Sequence, residues 1–451
     1  MGFTTGVLML IGLVVQHFLA KYLTIDEYGI YALMFSWIAL LSIFSLNSFN
    51  TIVTKAAAQK YPRFFKTASK ICFLFSLIGS IVFLIIGFYF QPDLKSFFII
   101  IAIFFPFYGG INLAEAFFIG SAKFEKWSLF VIISQIIIGI AQILSVYLFK
   151  DVSMLLFYTL LSTSLINLII TLYLFSKIKQ ETDKKKDKEL TKYGIELTFI
   201  TLIGSISTRV QYIILATLTN ASTLAIYAVA QIIPERIKTV FKSSLNPLSI
   251  HLASINKEES IKILKKSLLL LILIGIIINI SIALLLPPTI LLIFGQKYVS
   301  SIIYSLALSS LIFLIPFNAL FDSIVIYHGY KKFYAKLTIF LNVTQIILFF
   351  LLIPKFQIWG IIFSMLSLNF IATIIHLIWM FKIPKLKNKK TMLVFYKKNV
   401  LKGYRSVLIK SKVTGDNIIR IIEADYLSSK EKYPIWIKIL TKMVGTKTLM
   451  E

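Results

Sequence analysis

The chain has 451 residues, of which 58% are hydrophobic, and its formal net charge at pH 7 is +27. A soluble protein of this length needs far more polar surface, so the composition excludes a soluble globular protein. Apolar runs of about 20 residues recur along the chain, and this is the length a helix needs to cross about 30 Å of hydrocarbon. The sequence therefore predicts an all-α integral membrane protein.

The hydropathy pattern predicts about twelve membrane-spanning helices. They fall at about residues 3–21, 30–52, 71–90, 96–119, 127–149, 153–176, 194–218, 222–250, 266–294, 301–327, 333–353 and 358–381. The eighth span has the weakest apolar character, because Glu235, Arg236, Lys238 and Lys242 interrupt its second half.

Positive charge alternates between the connections that join these spans. The even-numbered connections hold 24 Lys and Arg residues when the adjoining ends of the spans are included, among them the end of the eighth span, and the odd-numbered ones hold five. Because Lys and Arg accumulate in cytoplasmic loops, both termini are predicted to be cytoplasmic. Topology and contact with anionic lipids then account for most of the net charge, and nucleic acid is not an expected partner. The single cysteine, Cys72, excludes an intramolecular disulfide.

The two halves of the chain resemble each other. The segment EYGIYALMFS at 27–36 aligns with TLAIYAVAQI at 223–232 with an offset of 196 residues. SQIII at 134–138 aligns with TQIIL at 344–348 with an offset of 210. Six helices in each half give repeats of parallel orientation, which usually enclose a central site. We therefore predict an N-terminal lobe at 1–180, a basic cytoplasmic linker at 181–192, a C-terminal lobe at 193–381 and a basic cytoplasmic tail at 382–451.

The tail carries 17 Lys and Arg residues against five acids. Its segment PIWIKILTKMV at 434–444 has the pattern of an amphipathic helix that lies on a membrane surface. We expect the tail to dock on anionic membrane lipids, and contact with other polysaccharide-synthesis proteins is a further hypothesis.

Five segments spread over the chain share a family resemblance. They are AKYLTIDEYGIYAL at 20–33, AIYAVAQ at 225–231, SLNPLSIHLA at 244–253, IFGQKYVSS at 293–301 and LLIPKFQIWGIIFS at 351–364. Together they are similar to the polysaccharide (O-antigen, Wzx-type) flippases of the multidrug/oligosaccharidyl-lipid/polysaccharide exporter superfamily. Many members carry an acidic residue in the seventh helix, where this chain has Arg209, Val210 and Gln211.

The resemblance implies two pseudo-symmetric six-helix bundles in a V-shaped, MATE-like arrangement that works by alternating access. It implies an undecaprenyl-diphosphate-linked oligosaccharide as cargo, such as an O-antigen or capsule repeat unit. The cargo would move from the cytoplasmic to the outer leaflet of a bacterial cell (inner) membrane.

A diphosphate headgroup needs fixed cations in a water-filled cavity, since guanidinium and ammonium groups bind phosphate. Arg209 lies about 15 residues into the seventh span, roughly 22 Å along the helix axis. An arginine at such depth predicts a functional site, and the alternative is a buried ion pair. Four further cations are candidates for the same role: Arg236, Lys238, Lys242 and Lys55. For Lys55 the alternative is a cation at the cytosolic rim.

The eighth span also carries a polar row. Tyr227, Gln231, Glu235, Lys238 and Lys242 follow one another at intervals of three or four residues, so they share one helical face. Together with Asn47, at the end of the second span, this row predicts the polar wall of a cavity. The alternative is that the eighth helix ends early and its charged residues form a cytoplasmic loop.

Three carboxylates are candidates for ion coupling: Glu115, Asp322 and Glu235. Such groups bind a proton or Na⁺ within transporters, and salt bridges to lysines are the alternative. His17 and His376 are interpreted as hydrogen-bonded packing residues. The four histidines and one cysteine show no metal-ligand spacing, so apart from the coupling ion we expect no metal and no cofactor.

Two other classes of function compete with a flippase for lipid-linked oligosaccharide. A membrane enzyme of polysaccharide synthesis is disfavoured, because the predicted outer loops are short and no catalytic motif is present. A drug/cation antiporter or a peptidoglycan-precursor flippase of the same superfamily remains as the alternative. The cationic row argues against the antiporter, and precursor flippases typically have more than twelve helices.

Overall fold

The computed structural model describes residues 2–178, 184–255, 257–327 and 330–382, and within these ranges it contains helices and turns but no strand. The helices are α1 (Gly2–Tyr22), α2 (Ile25–Leu41), α3 (Phe49–Ala58), α4 (Phe64–Ile85), α5 (Lys95–Phe105), α6 (Ala114–Gly120), α7 (Phe124–Phe149), α8 (Val152–Lys177), α9 (Lys184–Leu218), α10 (Ala221–Ser254), α11 (Lys257–Phe294), α12 (Ser301–Ser309), α13 (Ile315–Tyr327), α14 (Lys331–Phe356) and α15 (Ile358–Lys382). Residues 179–183, which include the start of the predicted linker, and the tail from residue 383 lie outside the described ranges.

Each predicted span corresponds to one helix or to two consecutive helices. Among the described residues, ten helical segments are long and apolar enough to cross a membrane. The number rises to eleven if the two parts of α9, Lys185–Phe199 and Gly204–Leu218, count as one span despite a bend of 44°. Helix α10 is not among them, because its charged residues lower its hydropathy. The chain is therefore a multi-pass membrane protein, and the count of twelve is roughly consistent with the helices observed.

Three predicted spans are broken rather than continuous. The second is interrupted by a 3-10 turn at Ser42–Ser45 and by Leu46 in the left-handed region (φ 51°). The fourth contains a π turn at Pro106–Gly110, where the proline nitrogen cannot donate to the helical ladder. The tenth changes to a 3-10 turn at Ser310–Leu314. Asn47 therefore lies in the break between α2 and α3 and not on a continuous helix.

The same neighbour relations recur in the two halves of the described chain. Helix α1 packs on α7, α7 on α8, and α5 on both α4 and α8. In the second half α9 packs on α14, α14 on α15, and α12 on both α11 and α15. The predicted pseudo-symmetry between two bundles is thus present in the fold. The equivalent helices α2 and α10 pack along each other where the halves meet.

The two halves are joined at the end of the molecule where α2 and α10 begin, which we call the Asp26 end. The Ser222 hydroxyl donates a hydrogen bond to Asp26. Lys297 Nζ donates to the carbonyl oxygen of Leu23 at 2.6 Å. Burial lowers the pKa of Lys297, and the nearby carboxylate of Glu27 opposes that shift. These contacts bring residues of the first half against residues of the second.

The opposite end, which we call the Lys55 end, is organised differently. A hydrophobic cluster there includes Phe49, Phe64 and Trp127 of the first half and, from the second, Leu190 of α9. The buried Asp187 of α9 accepts hydrogen bonds from the hydroxyls of two residues of the first half, Tyr61 at 2.8 Å and Thr67 at 2.7 Å. Among the described helices of the second half, α9 thus supplies the core contacts at this end.

Candidate substrate cavity

Arg209 lies on the second part of α9 and its side chain is exposed. Its guanidinium acts electrostatically on the hydroxyls of Tyr212, on its own helix, and of Tyr108, in the first half. Of the carboxylates whose positions are described, none lies within 4 Å of it. Arg209 is therefore an exposed cation that interacts with a tyrosine of each half and is not one member of a sealed ion pair.

Helix α10 continues through its charged residues to Ser254, so they do not form a loop. Arg236 is exposed and reaches the first half, where its Nη2 lies 3.1 Å from the position a Cβ would take on Gly12 of α1. Lys238 is paired with Glu235, with Nζ 2.8 Å from Oε1. Lys242 is exposed and has no carboxylate of the described residues within 4 Å. This part of α10 thus presents three cations, and one of them, Lys238, is neutralised by a neighbour on the same helix.

Tyr227 and Gln231 do not line an open wall. Tyr227 is fully buried and Gln231 is 7% exposed. The Gln231 amide donates to the Tyr227 hydroxyl and accepts from the Tyr212 hydroxyl. Their assignment as cavity-lining residues therefore needs correction: they form a packed polar chain behind Arg209, because a buried polar group needs a partner.

At the Lys55 end, Asn47 is exposed and lines a small pocket together with Ser48 and Thr201. The hydroxyls of Ser48 and Thr201 are 3.0 Å apart and connect the first half to α9. Lys55 is exposed, and its ammonium lies 5.0 Å from the centroid of the Tyr193 ring. The structure does not bring Lys55 together with Arg209 in one contact group.

The two remaining coupling candidates have different surroundings. Glu115 is exposed and accepts a hydrogen bond from Trp127 Nε1 at 2.9 Å. Asp322 on α13 is partly exposed, lies 3.7 Å from His376 Nε2 and is attracted by Lys242. Asp322 thus adjoins the cationic row of α10, whereas Glu115 is held within the first half. Among the described residues, no three His, Cys, Asp or Glu side chains converge as a metal site.

Sequence reasoning missed several members of this region. Tyr212 follows Arg209 by three residues and so shares its helical face, which was a usable signal. Tyr31, the counterpart of Tyr227 in the repeat, accepts a hydrogen bond from Gln142 at 3.0 Å. The local sequence did not indicate a role for Tyr108, because the position of its side chain depends on the π turn at Pro106–Gly110.

Several solved structures share this arrangement of helices. The arrangement of helices is similar to the lipid II flippase MurJ in its inward closed conformation, with a TM-score of 0.63 and 14% identity over 90% of this chain and 99% of that one. It is also similar to an inward-facing MATE family multidrug resistance transporter of the MOP superfamily, with a TM-score of 0.59 and 14% identity over 87% and 96% of the two chains. A MOP superfamily transporter from Pyrococcus furiosus, described as having a binding pocket of reverse polarity, gives a TM-score of 0.56 with 15% identity over 84% and 93%. The fold is therefore that of the MOP-superfamily transporters.

Comparison of the sequence with family profiles identifies the family to which the chain belongs. The profile of the family described as "Polysaccharide biosynthesis protein" matches residues 18–303. The chain belongs to this family, and the resemblance drawn from the five sequence segments is confirmed. No curated protein matches the chain.

Proposed function

We propose that the protein is a flippase for undecaprenyl-diphosphate-linked oligosaccharide in a bacterial cell membrane. It moves the lipid-linked repeat unit from the cytoplasmic to the outer leaflet by alternating access. The family supports a role in polysaccharide synthesis, and the fold supports transport rather than enzymatic chemistry. The Lys55 end and both termini face the cytoplasm in this proposal, as the distribution of Lys and Arg favours.

The observation that carries the proposal is the position of Arg209. An exposed guanidinium on a membrane-spanning helix, with no described carboxylate within 4 Å, is typical of a functional site that faces a water-filled cavity. A diphosphate supplies the acceptor oxygens that a guanidinium fork matches. Arg236, Lys238 and Lys242 add positive charge along α10, so the wall is suited to an anionic headgroup and not to a cationic drug.

The test is a deletion strain of the source bacterium complemented with plasmid-borne variants. We expect deletion to cause lipid-linked glycan to accumulate on the inner leaflet and wild-type protein to restore export. Arg209→Ala should abolish export although the protein remains folded and inserted, and Arg209→Lys should retain part of it, since it keeps the charge without the fork. Thr208→Ala, at the exposed neighbouring position, is the matched control.

Two results would contradict the proposal. Wild-type export by Arg209→Ala would remove the cation from the mechanism. Rescue of a strain that lacks its peptidoglycan-precursor flippase, without any change in glycan export, would assign the cargo to lipid II instead.

Ion coupling is part of the same proposal. Glu115→Gln and Asp322→Asn should change the dependence of transport on a proton or Na⁺ gradient in reconstituted vesicles. Unchanged gradient dependence in both variants would remove these carboxylates from the coupling mechanism.

A further inference from the structure

A cavity lies at the Asp26 end between α1 and α11, which belong to different halves of the chain. Its volume is about 370 Å³. Helix α1 contributes His17 and Lys21 to its lining, and α11 with the turn that follows contributes Leu292, Gln296 and Lys297. None of the described residues that line it is Asp or Glu. The cavity therefore combines two ammonium groups, an imidazole and an amide with apolar side chains.

Positive charge is scarce at this end of the molecule, and much of it meets at this cavity. The odd-numbered connections hold five Lys and Arg residues, and Lys21 and Lys297 are two of them. Neither has a described carboxylate within 4 Å, although Glu27 attracts Lys297 from farther away. Lys297 donates one hydrogen bond to the carbonyl oxygen of Leu23, and an ammonium has three donors. Both lysines therefore retain donors for an anion in the cavity.

The imidazole of His17 has a defined arrangement of hydrogen bonds. Its Nδ1 lies 2.7 Å from the carbonyl oxygen of Ile293. Because a carbonyl oxygen can only accept, Nδ1 carries the hydrogen, and Nε2 of the neutral ring is an acceptor. Nε2 has no hydrogen-bond partner among the described residues. An acceptor nitrogen fits a hydroxyl group, so the cavity suits a ligand that carries both an anion and a hydroxyl.

An exposed apolar surface leads to the cavity along each of the two helices. On α1, Leu10 and Val14 are exposed and lie four and seven residues apart from one another and from Lys21, so the three share one face. On α11, Leu285 lies seven residues before Leu292, and these side chains are 66% and 78% exposed. Exposed apolar side chains on membrane-spanning helices contact lipid chains. The cationic cavity thus lies at the end of an apolar surface, as the binding site of an anionic lipid must.

The same cavity lies at a seam between the two halves. Helices α1 and α11 pack against each other. Val15 and Leu19 of α1 belong to the same hydrophobic cluster as Ile290 and Phe294 of α11. A ligand that contacts the lysines of both helices therefore joins the first half to the second.

We propose that this cavity binds the headgroup of an anionic phospholipid, and that phosphatidylglycerol is the lipid its chemistry fits. Lys21 and Lys297 bind the phosphate, Nε2 of His17 accepts a hydrogen bond from a glycerol hydroxyl, and the acyl chains lie along α1 and α11. A cavity of this volume accepts one small group and not a headgroup with several sugars. The site is therefore separate from the region of Arg209, and the inference does not depend on the cargo.

Fluorescence quenching in vesicles measures lipid binding at this site. A bimane label on Leu285→Cys, in a Cys72→Ala background, reports lipid that lies along α11. Label on Ser367→Cys is the matched control, because it is exposed on α15 nine residues from the helix end that follows Lys355, as Leu285 is nine from the end of α11. The quenchers are phosphatidylglycerol and phosphatidylcholine that carry a nitroxide on the acyl chain.

We expect the label at Leu285 to favour phosphatidylglycerol over phosphatidylcholine by about tenfold in relative binding constant, since each lysine near a lipid phosphate contributes. The label at Ser367 should show a ratio near one. Lys21→Met should reduce the ratio at Leu285 to near one, whereas Lys21→Arg, which keeps the charge, should retain it. Lys95→Met, an exposed lysine outside the cavity, should behave as the parent does. Unchanged quenching at Ser367 and an unchanged unfolding midpoint show that each variant is folded and inserted.

Three results would overturn the inference. The first is equal quenching by the two lipids at Leu285 in the parent. The second is a preference for phosphatidylglycerol that survives in folded Lys21→Met. The third is loss of the preference when glycerol phosphate is added at millimolar concentration, which would assign the cavity to a soluble phosphate and not to a lipid. Each of these results would leave the flippase proposal intact.

Discussion

Asp26 and Ser222 occupy equivalent positions in the two halves of the chain, 196 residues apart, and they are hydrogen-bonded to each other. Each follows a side-chain N-cap by two residues: Thr24 caps α2 and Asn220 caps α10, again 196 residues apart. Equivalent residues that touch must lie near the axis relating the repeats. The two capped helix starts therefore mark the point where the pseudo-symmetry axis leaves the Asp26 end.

The close approach of α2 and α10 gives the first prediction. A Cβ on Gly29 would lie 1.9 Å from the carbonyl oxygen of Ala221, so Gly29→Ala must displace backbone. We expect a loss of about 1–3 kcal/mol in stability. Heating in detergent with a thiol-reactive dye measures it, because the single cysteine, Cys72, is buried until the protein unfolds. Gly6→Ala on α1, where a Cβ meets nothing within 4 Å, is the matched control, and equal midpoints would contradict the packing argument.

A second prediction concerns Lys297. Lys297→Met removes the hydrogen bond to Leu23 and the attraction to Glu27, so the halves should separate more often at the Asp26 end. Spin labels at the exposed positions Asp93 and Val299, in a Cys72→Ala background, report the distance between the halves. We expect a longer and broader distance distribution than in the parent.

The control for that experiment is Lys95→Met. Lys95 is an exposed lysine near the Asp93 label, and its ammonium lies over the Phe88 ring within the first half. It should leave the distances unchanged. If Lys297→Met has no more effect than Lys95→Met, the contact with Leu23 does not hold the halves together.

The pair formed by Glu235 and Lys238 gives a third prediction. Both side chains are more than a third exposed, so Glu235→Gln should change stability by less than about 1 kcal/mol. It frees the Lys238 ammonium, and binding of a synthetic short-chain prenyl diphosphate ester of N-acetylglucosamine should therefore become a few-fold tighter. Calorimetry measures the change, with Glu125→Gln, an exposed acid of α7, as control. Weaker binding would show that Glu235 itself contacts the headgroup.

The fourth prediction concerns Asp187. Asp187→Ala leaves the hydroxyls of Tyr61 and Thr67 without this buried acceptor, which should cost about 1–3 kcal/mol. Amide hydrogen exchange should accelerate over residues 185–199 and remain unchanged over 204–218. Glu189→Ala, exposed two residues further along the helix, should have little effect. Equal exchange in both parts of α9 would contradict a separate attachment of its first part.

The order and approximate limits of the helices were predictable, because long apolar runs and alternating Lys and Arg content are local properties of the chain. The break at Leu46 was not predictable, because the apolar pattern of the sequence continues through this position. The left-handed backbone of Leu46 depends on packing. The cationic row on α10 was predictable from its spacing. The burial of Gln231 was not predictable from the sequence, because it depends on contact with Tyr212 from another helix.

His376 shows most clearly that the sequence predicts helical faces but not which faces meet. Its spacing from Thr373 and Asn369 places all three on one face of α15, and Asn318 and Asp322 share a face of α13. Each face could be derived from the sequence alone. That the two faces meet, and that His376 lies between an amide oxygen and a carboxylate, required the fold.

The bend in α9 has a mechanical consequence. The first part of the helix is bound to the first half through Asp187. Its second part contacts α14 through Ser207 and also packs against α2. The symmetry axis emerges at the other end of the molecule, beside Asp26. A rocking motion that opens the Asp26 end would therefore be expected to change the angle between the two parts of α9, with residues 199–204 as the hinge.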